Sequence, residues 1–252
     1  ADGDWSSDVC SSDLYDDTRR NLTLARDRLG VKPLYFGQTD DAFVFSSEIR
    51  ALVASGLVPA DLNEAVLPEF LASQSVSPPE TLLREAALLR PGHMLKVGRD
   101  GGVGQRQYWS LVGDRRRDAI NHSSDQAKRE VRSLLEEAVE RQMISDVPLG
   151  AFLSGGIDST AVVGLMSRLV DEPIRTIALT FEDSGFDDGR YARLVADAFD
   201  TKHTEVSLSN DQVLDYAERA LDAQDHPSKD GGNTYSVSPA ARDHGLKAAR
   251  SG

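Results

Sequence analysis

A single cysteine, Cys10, occurs in 252 residues. That scarcity excludes an internal disulfide framework and a cysteine-rich metal site, and it fits a reducing, cytoplasmic setting. No run of 18 or more apolar residues is present, so no membrane-spanning helix is expected. No basic start precedes an apolar run, as a secretory leader requires. Positive charge is also short: 28 Lys and Arg stand against 41 Asp and Glu, a formal net charge of -13, which argues against a nucleic-acid partner. The basic cluster Arg115 to Arg117 sits between Asp114 and Asp118 and reads as a solvated loop. What remains is 40% hydrophobic and 27% charged, enough for one large or two ordinary domains with a real core.

Along the chain, residues 1–14 are expected to be a tail. DWSSDVCSSDL, residues 4–14, resembles the translation of a common sequencing-adapter DNA, and no structure is assigned to it. From Tyr15, LTLARD, PLYFG and AFVFSSE alternate as antiparallel strands do. IRALVASG reads as a short helix stopped by Gly56, and LNEAVLPEFLASQ as another, interrupted or started by Pro68. PGHMLKVGRDGG is a strand with a glycine turn, and RQYWSL its partner strand. Residues 15–110 therefore read as strand-rich, an α+β arrangement. Residues 111–124 are polar and unperiodic, a linker. Ser123 and Gln126 have capping-box spacing, and Val131, Leu134, Leu135, Ala138, Val139 and Met143 trace one apolar face of a long helix. Beyond it, VPLGAFLS, IRTIALTF, KHTEVSLS and GLKAAR alternate with helical segments such as STAVVGLMSRLV. The alternation predicts a parallel, doubly wound α/β sheet over residues 125–252. Sheets of that kind bind ligands at the carboxyl ends of their strands.

SGGIDS, residues 154–159, follows the first of those strands. Gly155 and Gly156 let backbone amides approach an anion closely, and the next helix start aims further N–H groups and its positive dipole end at the same place. Ser154 and Ser159 add hydroxyl donors. Asp158 repels phosphate unless a cation intervenes, so its presence points to a divalent metal, Mg2+, shared with the phosphates. The loop is not the usual P-loop, because the lysine of G-x-x-x-x-G-K-[ST] is missing.

SGGIDST resembles the pyrophosphate-binding loop of the ATP pyrophosphatases, and MISDVPLGAFLSGGIDSTAVV is similar to glutamine-using asparagine synthetases. ARDRLGVKPLYF with FVFSSEIRAL resembles the later part of their Ntn-type glutaminase domain. PGHMLKV followed by YW resembles the run into their linker, and TIALTFEDSGFDDGRYARLVADAFDTKHTEV the second strand, acidic loop and helix of their PP-loop synthetase domain. The resemblance covers nearly everything from Tyr15 to Gly252. It implies an ATP-dependent ligase in which the aspartate side chain attacks the α-phosphate, giving β-aspartyl-AMP and pyrophosphate; ammonia derived from glutamine then displaces AMP to give asparagine.

Carried over residue by residue, the resemblance places ATP at Leu153, Ser154, Gly155, Gly156, Ile157, Asp158, Ser159, Thr160, Leu179, Ser251 and Gly252. Leu153 and Leu179 are expected to meet the nucleoside through their backbones, and Asp158 to act in catalysis and hold Mg2+. Gln224, Asp225, Pro227 and Asn233 neighbour the amino-acid substrate or belong to a solvated loop. Glu182, Asp183, Asp187 and Asp188 bind Mg2+ or simply suit a helix N-terminus. His203 and His226 are assigned no catalytic role. The expected partners are small molecules, with no nucleic acid, no membrane, and a homodimer left open. The resemblance also implies that the first part of the glutaminase and the rest of the synthetase domain lie outside these residues. Cys10 does not match the residue-one nucleophile of that glutaminase class, so this polypeptide is expected not to hydrolyse glutamine. Two rival readings stay open: another ATP pyrophosphatase, β-lactam-forming or argininosuccinate-type, or a non-catalytic ATP-binding fragment. A tRNA-thiolating or lysidine-forming member is disfavoured by the acidic balance and the lack of paired cysteines.

Overall fold

A computed structural model describes residues 12–112, 123–182, 189–225 and 231–250. These fall into two units: residues 12–112 with Asp225, and residues 123–224 with 231–250.

In the first unit, β1 (Ser12–Asp16), β2 (Asn21–Ala25), β6 (His93–Val97) and β7 (Val103–Gln107) form an antiparallel sheet in the order β1-β2-β6-β7. β3 (Tyr35–Gln38), β4 (Phe43–Ser46) and β5 (Ala87–Leu88) form a second, in the order β4-β3-β5. Strand alternation sends neighbouring side chains to opposite faces. Phe36 and Phe45 meet Leu24, Leu95 and Val97 of the first sheet. Tyr35 and Val44 face the other way, onto Ile49 and Leu52 of α1 (Ile49–Ala54). Pro68 starts α2 (Leu67–Ser73), where its fixed φ suits the first turn and its missing N–H costs nothing. Glu48 makes no side-chain cap for α1; the Asp225 carboxylate does so, accepting from Ile49 N at 2.7 Å and Arg50 N at 2.8 Å.

Two expectations need correction here. Ser12 to Leu14, assigned to the tail, belong to β1: the pairing with β2 is carried by backbone hydrogen bonds, which side-chain composition does not report. RQYWSL is not the partner strand as a whole. β7 ends at Gln107, and Tyr108 N and Trp109 N both donate to Gly92 O, at 2.9 and 3.1 Å, because the chain folds back onto the tight turn at Gly92.

The second unit opens with α3 (Ser124–Gln142), whose capping box forms as expected: Ser123 N donates to Gln126 Oε1 at 2.9 Å and Gln126 N to Ser123 Oγ at 3.3 Å. Only Val139 and Met143, near its end, pack into the core; Val131, Leu134 and Leu135 are exposed. The apolar face is thus buried over its last turns alone. β8 (Leu149–Phe152), α4 (Ile157–Leu169), β9 (Arg175–Phe181), α5 (Gly189–Ala198), β10 (Lys202–Leu208), α6 (Asn210–Ala223), α7 (Gly231–Asp243) and β11 (Ala248–Arg250) follow. The strands form one parallel sheet in the order β10-β9-β8-β11. Ala151, Leu153 and Ala178 pack with Val163 and Met166 of α4 and Ala192 of α5 on one face. Phe152, Ile177 and Leu179 pack with Ala240 and Ala241 of α7 on the other. The architecture is mixed α/β, with antiparallel sheets in one unit and a parallel sheet, helix-covered on both faces, in the other.

Candidate functional site

β8 lies inside the parallel sheet, with β9 on one side and β11 on the other. From β8 the chain moves outward to β9 and β10, then returns to the opposite flank as β11. The carboxyl end of β8 is therefore the switch point of the sheet, where connections leave in opposite directions and a crevice opens. Residues 153–156 turn at that end.

Gly155 has φ +75°, and a Cβ there would stand 2.5 Å from Tyr191 Cβ and 2.7 Å from Ala192 N. No side chain fits on either ground. Gly156 caps α4 in an extended conformation (φ -71°, ψ 166°), and its carbonyl accepts the first helical bond from Thr160 N at 3.0 Å. A Cβ on Gly156 meets only hydroxyls, Ser154 Oγ at 3.3 Å and Ser159 Oγ at 4.0 Å. It would crowd the Ser154 hydroxyl. The two hydroxyls are 3.1 Å apart; Ser159 Oγ donates to Gly156 O at 3.2 Å, and Gly156 N donates to Ser154 Oγ at 3.3 Å. Among the described residues, no protein group accepts from the amides of Gly155, Ile157 or Asp158. A helix start leaves such donors open, and among the described residues no side chain closes them.

Leu153 through Thr160 are thus brought into one turn, with differing access. Ser154, Gly156, Ile157 and Asp158 are exposed, Ile157 at 89%, whereas Ser159 is buried and its hydroxyl is held inside the turn. Leu153 is 1% exposed, and its amide donates to Ile177 O at 2.9 Å, so its side chain is core and its N–H belongs to the sheet. Leu179 lies on β9 opposite Val206, packed toward α7. Ser251 and Gly252 lie outside the described residues, as do Asp183, Asp187, Asp188, His226 and Pro227 and the side chain of Asn233. Glu182 is exposed, and its amide donates to Leu208 O at 3.1 Å. Gln224 is the C-cap of α6. Among the described residues no three acidic, histidine or cysteine side chains gather into a metal-binding group, and no helix is long and apolar enough to cross a membrane.

Sequence reasoning did not find the wall of the turn. Tyr191 and Ala192, on the first turn of α5, close it from the side. Behind them Arg193 Nη1 donates to both Glu205 carboxylate oxygens, at 2.9 and 2.8 Å. His203, on β10, lies with Nδ1 2.9 Å from Thr176 Oγ1 and Nε2 3.6 Å from Glu205 Oε1. Burial pushes its imidazole below the usual value, against the pull of Glu205. No local sequence signal announces these contacts, since they join separate elements.

Residues 130–252 match the asparagine synthase family, and residues 11–109 the glutamine amidotransferase domain. The chain is 32% identical over 229 residues to a glutamine-hydrolysing asparagine synthetase of Bacillus subtilis (number 3), covering 85% of this chain and 36% of that protein. It is 27% identical over 222 residues to asparagine synthetase 1 of the same organism, covering 87% of this chain and 34% of that protein. It is 28% identical over 255 residues to the amidase chry2 of Gibberella zeae, covering 95% and 37%. The chain thus spans about a third of the length of these relatives. The two family matches lie in chain order and together span nearly all of it, a glutamine amidotransferase domain over residues 11–109 and asparagine synthase over 130–252, and the chain resembles glutamine-hydrolysing asparagine synthetases over both.

Proposed function

We propose that the turn after β8 is the pyrophosphate cradle of a PP-loop ATP-dependent ligase that converts aspartate to asparagine, joined to part of an Ntn-type glutaminase that supplies ammonia in the longer protein. The observation that carries this reading is the set of amides of Gly155, Ile157 and Asp158, unclaimed among the described residues, at the switch point of a parallel sheet. The relatives named as asparagine synthetases supply the acceptor. Residues 15–110 and 125–252 are the two domains in this reading, 111–124 the linker, and a single cysteine suits the cytoplasm.

In this mechanism the amides of Gly155, Ile157 and Asp158 and the Ser154 hydroxyl grip the β- and γ-phosphates. Attack by the aspartate carboxylate on the α-phosphate moves negative charge onto the departing pyrophosphate, where donors fixed in advance stabilise it. Gly156, with no Cβ, keeps the space beside Ser154 Oγ clear for the ligand. Ser159, turned inward, holds the shape of the turn, while Leu153 and Leu179 set the sheet end against which the nucleoside rests. Ser251 and Gly252 belong to the same ATP site by resemblance alone. Exposed Asp158 would be the carboxylate that holds Mg2+, which would supply charge neutralisation for the phosphates; a cation that keeps waters and phosphate oxygens needs few protein ligands.

The full-length protein, given ATP and oxygen-labelled aspartate, tests this. Pyrophosphate should appear only with aspartate present, and label should pass to AMP. ADP with phosphate, or unlabelled AMP, would sink the reading.

A further inference from the structure

Resting on the cradle reading, we propose that Arg193, Glu205 and His203 are positioning residues for it, a clasp between β10 and α5 that holds the first turn of α5 against Gly155.

One end of the clasp is rooted in the sheet. Thr176, buried in β9, places Oγ1 2.8 Å from Thr201 Oγ1 and 2.9 Å from His203 Nδ1. His203 Nε2 points to Glu205 Oε1 at 3.6 Å, and both oxygens of that carboxylate accept from Arg193. The helix start is laid close to the strands: a Cβ on Gly189 would stand 2.7 Å from Arg193 Nη1, 3.0 Å from Thr180 Cγ2 and 3.2 Å from Glu205 Oε1. The other end of the same turn presses on the loop, through Tyr191 and Ala192 against Gly155. A shift of α5 therefore moves Gly155, and with it the amides that face the ligand.

Arg193 and Glu205 are partly exposed, and ion pairs of that kind contribute little to global stability. Their contribution is to geometry. His203 faces Glu205, Arg193 and Asp197, together with the hydroxyls of Thr176 and Thr201.

The test uses this chain with Arg193→Met, Arg193→Lys, Glu205→Gln and the Arg193→Met/Glu205→Gln double variant. Calorimetry should give affinities for ATP and for pyrophosphate about tenfold weaker in Arg193→Met and Glu205→Gln, with AMP unchanged. Arg193→Lys should recover part of the loss, and the double variant should be no weaker than the weaker single one. In the ligand-free protein, amide exchange at Thr160, which bonds Gly156 O, should quicken about tenfold in Arg193→Met and Glu205→Gln while Ala178 in β9 holds its rate. Equal losses for ATP and AMP, additive single effects, or Thr160 exchanging at the wild-type rate would overturn the clasp. Should the wild-type chain bind neither ATP nor pyrophosphate, the cradle reading fails, and Thr160 exchange still decides whether the clasp sets the loop.

Discussion

Two turns in this chain gather backbone amides around a point suited to negative charge, and they deal with it in opposite ways. In the first unit, the Asp27 carboxylate accepts from Leu29 N at 3.1 Å, Val31 N at 2.9 Å and Lys32 N at 3.0 Å, around a Gly30 with φ +70°. Burial pushes Asp27 up, but the amides of Lys32, Val31, Leu29 and Gly30 outweigh it and hold the carboxyl below its usual range. Beside it the buried Arg26 guanidinium donates to Lys32 O, Leu89 O and Gly30 O. That turn contains its own anion. The turn at Gly155 has the same ingredients, a left-handed glycine and converging N–H groups, yet among the described residues the protein offers no acceptor to Gly155, Ile157 or Asp158. Donors that a fold leaves open are available for a ligand, whereas donors it satisfies are scaffolding.

Substitutions in the two turns should separate these roles. The largest effect is expected from Gly155→Ala, which adds a left-handed strain to a clash with Tyr191 and Ala192. Urea unfolding should show a loss of about 3 kcal/mol or more, with ATP binding abolished. Gly156→Ala sharpens the contrast: its φ is ordinary, so stability should fall by no more than about 1 kcal/mol, while the added methyl crowds Ser154 Oγ where the ligand approaches and ATP affinity drops about a hundredfold in calorimetry. Asp27→Asn should do the reverse, costing about 1 to 3 kcal/mol in urea with ATP affinity unchanged. Because the folded-state value of Asp27 is depressed, its contribution is complete above the ordinary carboxylate value of about 3.9 and is lost as pH falls through the lower folded value. The gap between wild type and Asp27→Asn should therefore close in acid. The smallest effect is expected at His203, also held low: its stabilisation is complete above about pH 6.5 and declines as pH falls from there toward the folded-state value. His203→Gln should flatten the wild-type slope of urea midpoints between about pH 7 and 5.

What was legible in the sequence was local. Alternation located β2, β3 and β4, and the spacing of Ser123 and Gln126 marked the start of α3, because these signals arise within a few neighbouring residues. The strand-helix alternation from Leu149 onward foretold a parallel sheet, and a strand followed by SGGIDS placed the loop at its carboxyl edge. Contacts between elements were not legible. The pattern of α3 showed an apolar face but not that Val131, Leu134 and Leu135 would stay exposed. Ser159 read as a hydroxyl donor at the loop, without a sign that its hydroxyl would bond Gly156 O. DDGRYARLVADAF resembled an acidic loop and helix, while the need for glycine at 155 came from Tyr191 and Ala192 pressed against it. Tertiary packing decides such points, and no window of sequence contains both partners.

The central claim is that one turn is open and the other closed, and backbone amide NMR of this chain titrated with pyrophosphate and Mg2+ tests it most directly. The amide resonances of Gly155, Gly156, Ile157 and Asp158 should move in a saturable way, while those of Leu29, Val31 and Lys32 stay in place. Resonances at 155–158 that remain fixed at saturating pyrophosphate, or both sets moving together, would contradict the account.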